Sequence, residues 1–240
     1  MPLHPAAPED LAGLVAAYEQ ATQAVVDLGR SCRDEDFSRP TTREGWTVRD
    51  EIAHVVAGDP AHRTGVSAPK LVSELELVAE RRVRGLTEDP DAVAALRRDT
   101  INAWVAEQDI RQALGRPGDL DSPAAAIVME ELFARLPELV AERAAVPPGN
   151  VVILEVTGPV LGRAGVWVDS GEDGQAKGIP LFSGVAHDGD PRDVFTTITL
   201  STDAVTRRSA GRGTVDDIHY TAHGDEDVAR RVLENLTLTS

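Results

Sequence analysis

Chemistry near neutral pH begins with histidine, and the histidine in the most informative setting is His54, which closes the segment Trp46-Thr-Val-Arg-Asp-Glu-Ile-Ala-His54. An imidazole nitrogen can hold zinc and similar ions and exchanges protons near pH 7. One imidazole does not make a metal site, however. On a helical wheel His54 lies away from the Ile52, Val55 and Val56 stripe, where a histidine is ordinarily a surface or hydrogen-bonded residue. Asp50, one turn earlier, could replace a missing ligand, yet its place three residues after Thr47 makes it half of a Thr-x-x-acid capping pattern. His62, in Gly58-Asp-Pro-Ala-His-Arg-Thr-Gly65, reads as an exposed loop residue. Cys32 stands between Ser31 and Arg33; an arginine favours the thiolate, but with no partner histidine nearby the thiol reads as inert. The sequence has no Gly-rich phosphate loop at a strand-to-helix junction, no Gly-x-Ser-x-Gly elbow and no His-Glu-x-x-His helix.

The elements that position these side chains are helical over the first 145 or so residues. Leu11, Leu14, Val15, Tyr18, Ala21, Val25, Val26 and Leu28 outline a first amphipathic helix, with Pro8-Glu-Asp10 at its start and Gly29 as its stop. The second begins at Thr47 and turns Ile52, Val55 and Val56 to the core. A third spans Ser67 to Gly85 after Pro69, a fourth Pro90 to Leu114, and a fifth Pro123 to about Arg143. Trp104, on the Ile101, Val105 and Gln108 face, belongs to the core. Asp109 is expected to pair with a backbone amide or an arginine, and Trp46 to staple the start of the second helix. At Ala144-Ala-Val-Pro-Pro-Gly-Asn150 the character changes, because paired prolines and a glycine cannot continue a helix. Val151–Val156, Ala164–Val168 and Val194–Leu200 read as strands; Ser201 caps a short helix and Asp225 opens a terminal one. The expected fold class is α+β with two domains, residues 1–146 and 151–240.

Composition excludes several partners. A formal charge of −16 and a pI near 4.7 leave no clustered cations for nucleic-acid phosphates and would be repelled by an anionic membrane. The hydrophobic fraction of 42% suffices to bury a core. A single cysteine excludes an intrachain disulfide and a cysteine-based zinc site, which points to a reducing cytoplasm. No apolar run reaches the ~18 residues a membrane span needs, and the first ten residues lack a signal-peptide pattern. Lys70 and Lys177 are the only lysines among many arginines, a bias that fits a GC-rich genome.

Taken together, Trp46–His54 and Ala103-Trp-Val-Ala106-Glu-Gln-Asp-Ile-Arg111 resemble the N-terminal helical domain of the mycothiol-dependent maleylpyruvate isomerase family, a branch of the DinB-like four-helix bundles. Ser209-Ala-Gly-Arg-Gly-Thr-Val-Asp-Asp217, with Gly224-Asp and Arg230–Asn235, resembles the sterol-carrier-like domain that often follows it. The resemblance implies an actinobacterial thiol-dependent isomerase or transferase, a monomer or homodimer, acting on a small organic molecule in an interdomain cleft with mycothiol as co-reactant. It also implies a zinc-like divalent metal held by three side chains, of which His54 matches the first. The other two, an acid and a histidine four residues apart, fall at Asn102 and Ala106. An amide is a poor substitute for a carboxylate, and a methyl group does not ligate. Arg212 takes the place of an arginine that positions an anionic substrate; Arg49, Trp46 and Asn102 are further substrate-binding candidates. The changed donors leave three explanations open: a metal-free activity in the same pocket, a non-catalytic small-molecule or partner-binding module, or an introduced alanine at position 106.

Overall fold

The computed structural model describes residues 5–171, 174–182 and 194–238. The described residues fold as two compact units, one of residues 6–127 and one of the residues from Val128 on together with Pro5. It is α+β, with a helical N-terminal region and a C-terminal five-stranded sheet.

Four helices make the first unit: α1 (Leu11–Ser31), α2 (Val48–Ala57), α3 (Ala68–Arg84) and α4 (Pro90–Leu114). Helices α1, α2 and α4 start where their capping chemistry dictates. Asp10 accepts from the Gly13 amide at 2.7 Å, and Asp89 accepts from the amides of Asp91 and Ala92 at the head of α4. Gly115, left-handed at φ 66°, closes α4. Gly29 does not stop α1, which runs on to Ser31. Its role is close approach instead, since a Cβ there would fall 2.6 Å from Val72 Cγ2 on α3. Val25, Ile52, Leu71, Leu75 and Ile110 form one core cluster, and Leu14, Tyr18, Leu96 and Ile127 another. Trp104 is fully buried, as expected, with its indole N–H donating to the Asp119 carbonyl at 3.1 Å.

The second unit opens within α5 (Pro123–Glu138), which contains Pro137 and passes into a π-helical turn over Leu139–Arg143. Five strands follow in the order β3-β2-β1-β4-β5: β1 (Asn150–Thr157), β2 (Gly162–Ser170), β3 (Ala176–Leu181), β4 (Val194–Ser201) and β5 (Tyr220–His223). The central pair β1 and β4 is parallel and the other pairs are antiparallel. Burial of four successive β1 residues, Val151–Leu154, is the mark of a central strand covered on both faces. The helices α6 (Thr202–Ser209) and α7 (Glu226–Glu234) are capped by Ser201 and Asp225.

Sequence patterning misses β3 and β5. Ala176–Leu181 contains a glycine and a proline and has little alternation; Pro180 is tolerated because β3 lies at the sheet edge. Gly178 is required for another reason, as a Cβ there would sit 2.1 Å from the Pro137 carbonyl oxygen. Tyr220–His223 is a four-residue strand at the opposite edge, too short for periodicity to declare it.

Candidate functional site

Thr47 and Asp50 form the capping box that the sequence predicts. The Asp50 carboxylate accepts from the Thr47 amide at 3.0 Å and from its hydroxyl at 2.6 Å. This fixes the entry to α2 and with it the loop 40–47, which folds back as a bridge between Pro40 and Thr47. The Thr41 amide donates to the Trp46 carbonyl at 2.9 Å, and the Trp46 amide to the Arg43 carbonyl at 3.0 Å. Two hydroxyls anchor the loop: Thr41 Oγ1 donates to Glu51 on α2 at 3.1 Å, and Thr42 Oγ1 to Asp109 on α4 at 2.5 Å. Asp109 therefore takes a threonine hydroxyl, in addition to any amide or arginine contact. Glu51 and Asp109 are both buried carboxylates, so these donors offset part of their desolvation.

The loop so held presents a stack. The Arg43 guanidinium lies 3.5 Å from the centroid of the Trp46 ring, and the Trp46 ring meets His54 edge-on at 5.3 Å. Cation, aromatic face and imidazole are thus in contact in one partly buried group. His54 Nδ1 contacts the Gly58 carbonyl oxygen just past the end of α2. A carbonyl only accepts, so Nδ1 carries the proton and a neutral ring has its lone pair on Nε2. Trp46 does pack beyond the first turn, against His54. Arg43 was not singled out by the sequence, although the polar run Thr41-Thr-Arg-Glu-Gly45 ahead of Trp46 is the signal that marks it.

The remaining candidates are placed as follows. Arg49 donates to the carbonyls of Arg63 at 2.6 Å and Val66 at 2.9 Å, bracing the loop before α3, and its other terminal nitrogen is 3.5 Å from Asp50. Asn102 is exposed, whereas Ala106, one turn further along α4, is buried. His62 is exposed on a short 3₁₀ turn. Burial pushes the Cys32 thiol above its ordinary pKa, with Asp36 adding to the effect and Arg116 and Arg39 opposing it. The thiolate is disfavoured, as an inert cysteine requires.

In the second unit Arg212 sits between Gly211 (φ 70°) and Gly213 (φ 63°) and donates to the Ala210 carbonyl at 2.6 Å. Its neighbour Arg208, buried, holds that turn through the Gly213 carbonyl at 2.6 Å and reaches the carbonyls of Leu233 and Glu234 at the end of α7. Burial draws the Arg208 pKa below its usual value. Among the described residues no group of three or more His, Cys, Asp or Glu side chains is arranged to hold a metal ion.

A helical unit whose second helix opens with a capped Trp-Thr-x-x-Asp motif and carries His54 on its last turn, followed by a five-stranded α+β unit, defines a two-part α+β fold. The family model described as the mycothiol maleylpyruvate isomerase N-terminal domain matches residues 18–168, and the chain belongs to that family. The match continues past the helices through β1 and into β2. A crystal structure of the mycothiol-dependent maleylpyruvate isomerase has a TM-score of 0.53 at 14% identity, covering 90% of this chain and 94% of that one. A histidine-to-alanine mutant of a mycothiol-dependent maleylpyruvate isomerase gives 0.51 at 13%, with the same coverage. Such identities speak to the fold alone. No curated protein matches the sequence significantly.

Proposed function

We propose that this chain is a maleylpyruvate-isomerase-like protein, related to mycothiol-dependent isomerases and transferases, that binds a small organic anion at Arg43, Trp46 and His54 without the three-ligand metal centre of its family. The supporting observation is Ala106. The sequence resemblance puts a ligating histidine at this position; here it is a buried methyl group with no donor atom, and Asn102, which the same resemblance puts at the acidic position, faces solvent. The side chains present do not supply the family's donor set, so no step of the reading passes through an ion. Arg43 matches a carboxylate in geometry and charge, the Trp46 face suits a planar carbon skeleton, and the His54 imidazole stands edge-on beside that face. Mycothiol is the natural thiol partner on family grounds, Arg212 in the sterol-carrier-like region (residues 151–240) is carried over from the resemblance as an anion-contact candidate, and the cytoplasm is the expected compartment. No helix among the described residues is long and apolar enough to cross a membrane.

A metal-free enzyme and a binding module without turnover are separated by one pair of measurements. Calorimetric titration with mycothiol and with short unsaturated dicarboxylic acids is expected to show saturable binding of an acid, weakened about tenfold or more by Arg43→Ala, the loss of one charge-assisted contact. Product formation with mycothiol in chelator-treated buffer then identifies an enzyme, and binding without product identifies a module. Binding indifferent to Arg43→Ala refutes the site.

A further inference from the structure

The connection from α4 to α5 is clamped to α4 by a stripe of side chains at helical spacing. Trp104 donates to the Asp119 carbonyl at 3.1 Å, Gln108 to the Gly118 carbonyl at 3.3 Å, and Arg111 contacts the Arg116 carbonyl at 3.5 Å. Positions 104, 107, 108 and 111 share one helix face. Asp119 adopts a left-handed φ of 60°, an unfavourable conformation for a non-glycine residue that the surrounding contacts must hold.

Glu107 is the buried member of that stripe. One of its oxygens accepts from Arg111 Nε at 2.6 Å; the other, Oε2, is shut from solvent and meets no N–H or O–H donor, and the same is true of Asp119 Oδ2. Yet the two side chains lie within hydrogen-bonding contact of each other. Two acceptor oxygens make a hydrogen bond only when one of them carries a proton. We infer that Glu107 and Asp119 share a single proton, and that this bridged carboxyl pair is a latch fastening the α4–α5 connection to α4, released when the proton is lost.

The charges around the pair agree with one retained proton. Arg111, on the same helix, balances one negative charge, while Arg116 in the connection turns its guanidinium to Ser31 Oγ at 2.6 Å. Burial is the largest effect and raises the Glu107 pKa to about 8; Asp119 adds to the rise and Arg111 opposes it. Above that value two adjacent carboxylates would face each other out of water with one guanidinium, that of Arg111 on Glu107, to balance them, a repulsion relieved by letting the loop go. The latch is independent of what the Arg43 stack binds.

Carbon-13 NMR of the side-chain carboxyls, together with amide hydrogen exchange over residues 116–121, tests the inference on the intact chain. One proton is expected to stay on the pair well above pH 6. Exchange of the loop, corrected for its intrinsic pH dependence, should rise at least about tenfold between pH 6 and 9. Asp119→Asn, nearly isosteric and able to donate to Glu107, should lower the Glu107 pKa by about one unit or more and abolish the pH-linked exchange. Carboxyls that both titrate in the ordinary range, an Asp119→Asn chain that keeps the wild-type profile, or a chelatable cation found between the two carboxylates would each overturn it.

Discussion

Restoring the family's donors should create a metal site, and its cost can be worked out from the burial of the two positions. Asn102 is exposed, so Asn102→Glu changes stability by about 0.5 kcal/mol or less. Ala106 is 1% exposed, and an imidazole there must displace packed neighbours, at a cost of about 1–3 kcal/mol. For a chain of this length the metal-free double variant should melt roughly 2–12 °C below the wild type. If His54, Glu and His then converge, zinc at a hundredfold excess over its dissociation constant returns about 2.7 kcal/mol, enough to offset most of that loss. Differential scanning calorimetry with zinc and with chelator reads both quantities, and adding His54→Ala to the pair must erase the zinc effect. A double variant that folds, yet melts identically with zinc and chelator, refutes the assignment of positions 102 and 106.

Two further outcomes follow from the packing and the charges. Gly178→Ala drives a methyl group to 2.1 Å from the Pro137 carbonyl oxygen, a backbone atom that cannot rotate away. The edge strand β3 must shift, and thermal unfolding should show a loss of about 1–3 kcal/mol. Glu107, whose pKa is raised to about 8, is stabilising in its protonated form: its contribution is complete below the ordinary carboxyl range near 4.5 and is lost as pH rises through about 8. Urea unfolding should therefore lose up to roughly 5 kcal/mol between pH 5 and 8.5, an upper bound that relaxation and water entry reduce. Glu107→Gln should flatten that slope; an equal slope in the variant contradicts the assignment.

Much of the helical unit was legible because its starts are chemical. Thr47 with Asp50 names a terminus through a side chain that must meet free amides, and Pro69 and Pro90 mark the entries of α3 and α4. Gly29 misled for a physical reason: glycine serves both helix termination and close helix packing, and only the position of Val72 tells which applies. The change of character at 144–150 is visible as prolines and glycine, whereas the division of packing inside α5 depends on which core each turn faces. The motif segments containing Trp46, His54 and Ala106 identified the family. The Arg43 stack, the Asp109–Thr42 bond and the Glu107–Asp119 pair were not legible, since each joins residues whose meeting depends on how a loop folds back. Arg49 looked like a ligand contact by charge, but in the fold it serves two backbone carbonyls.

We propose that a methyl group at position 106 and an amide at position 102 stand where the family has ion-binding donors, while the Trp46–His54 framework persists. Elemental analysis of the purified chain after equilibration with zinc and gel filtration tests it most directly. Far less than one equivalent of metal per chain and a melting temperature indifferent to chelator are expected. One equivalent of zinc, lost in His54→Ala, would contradict it.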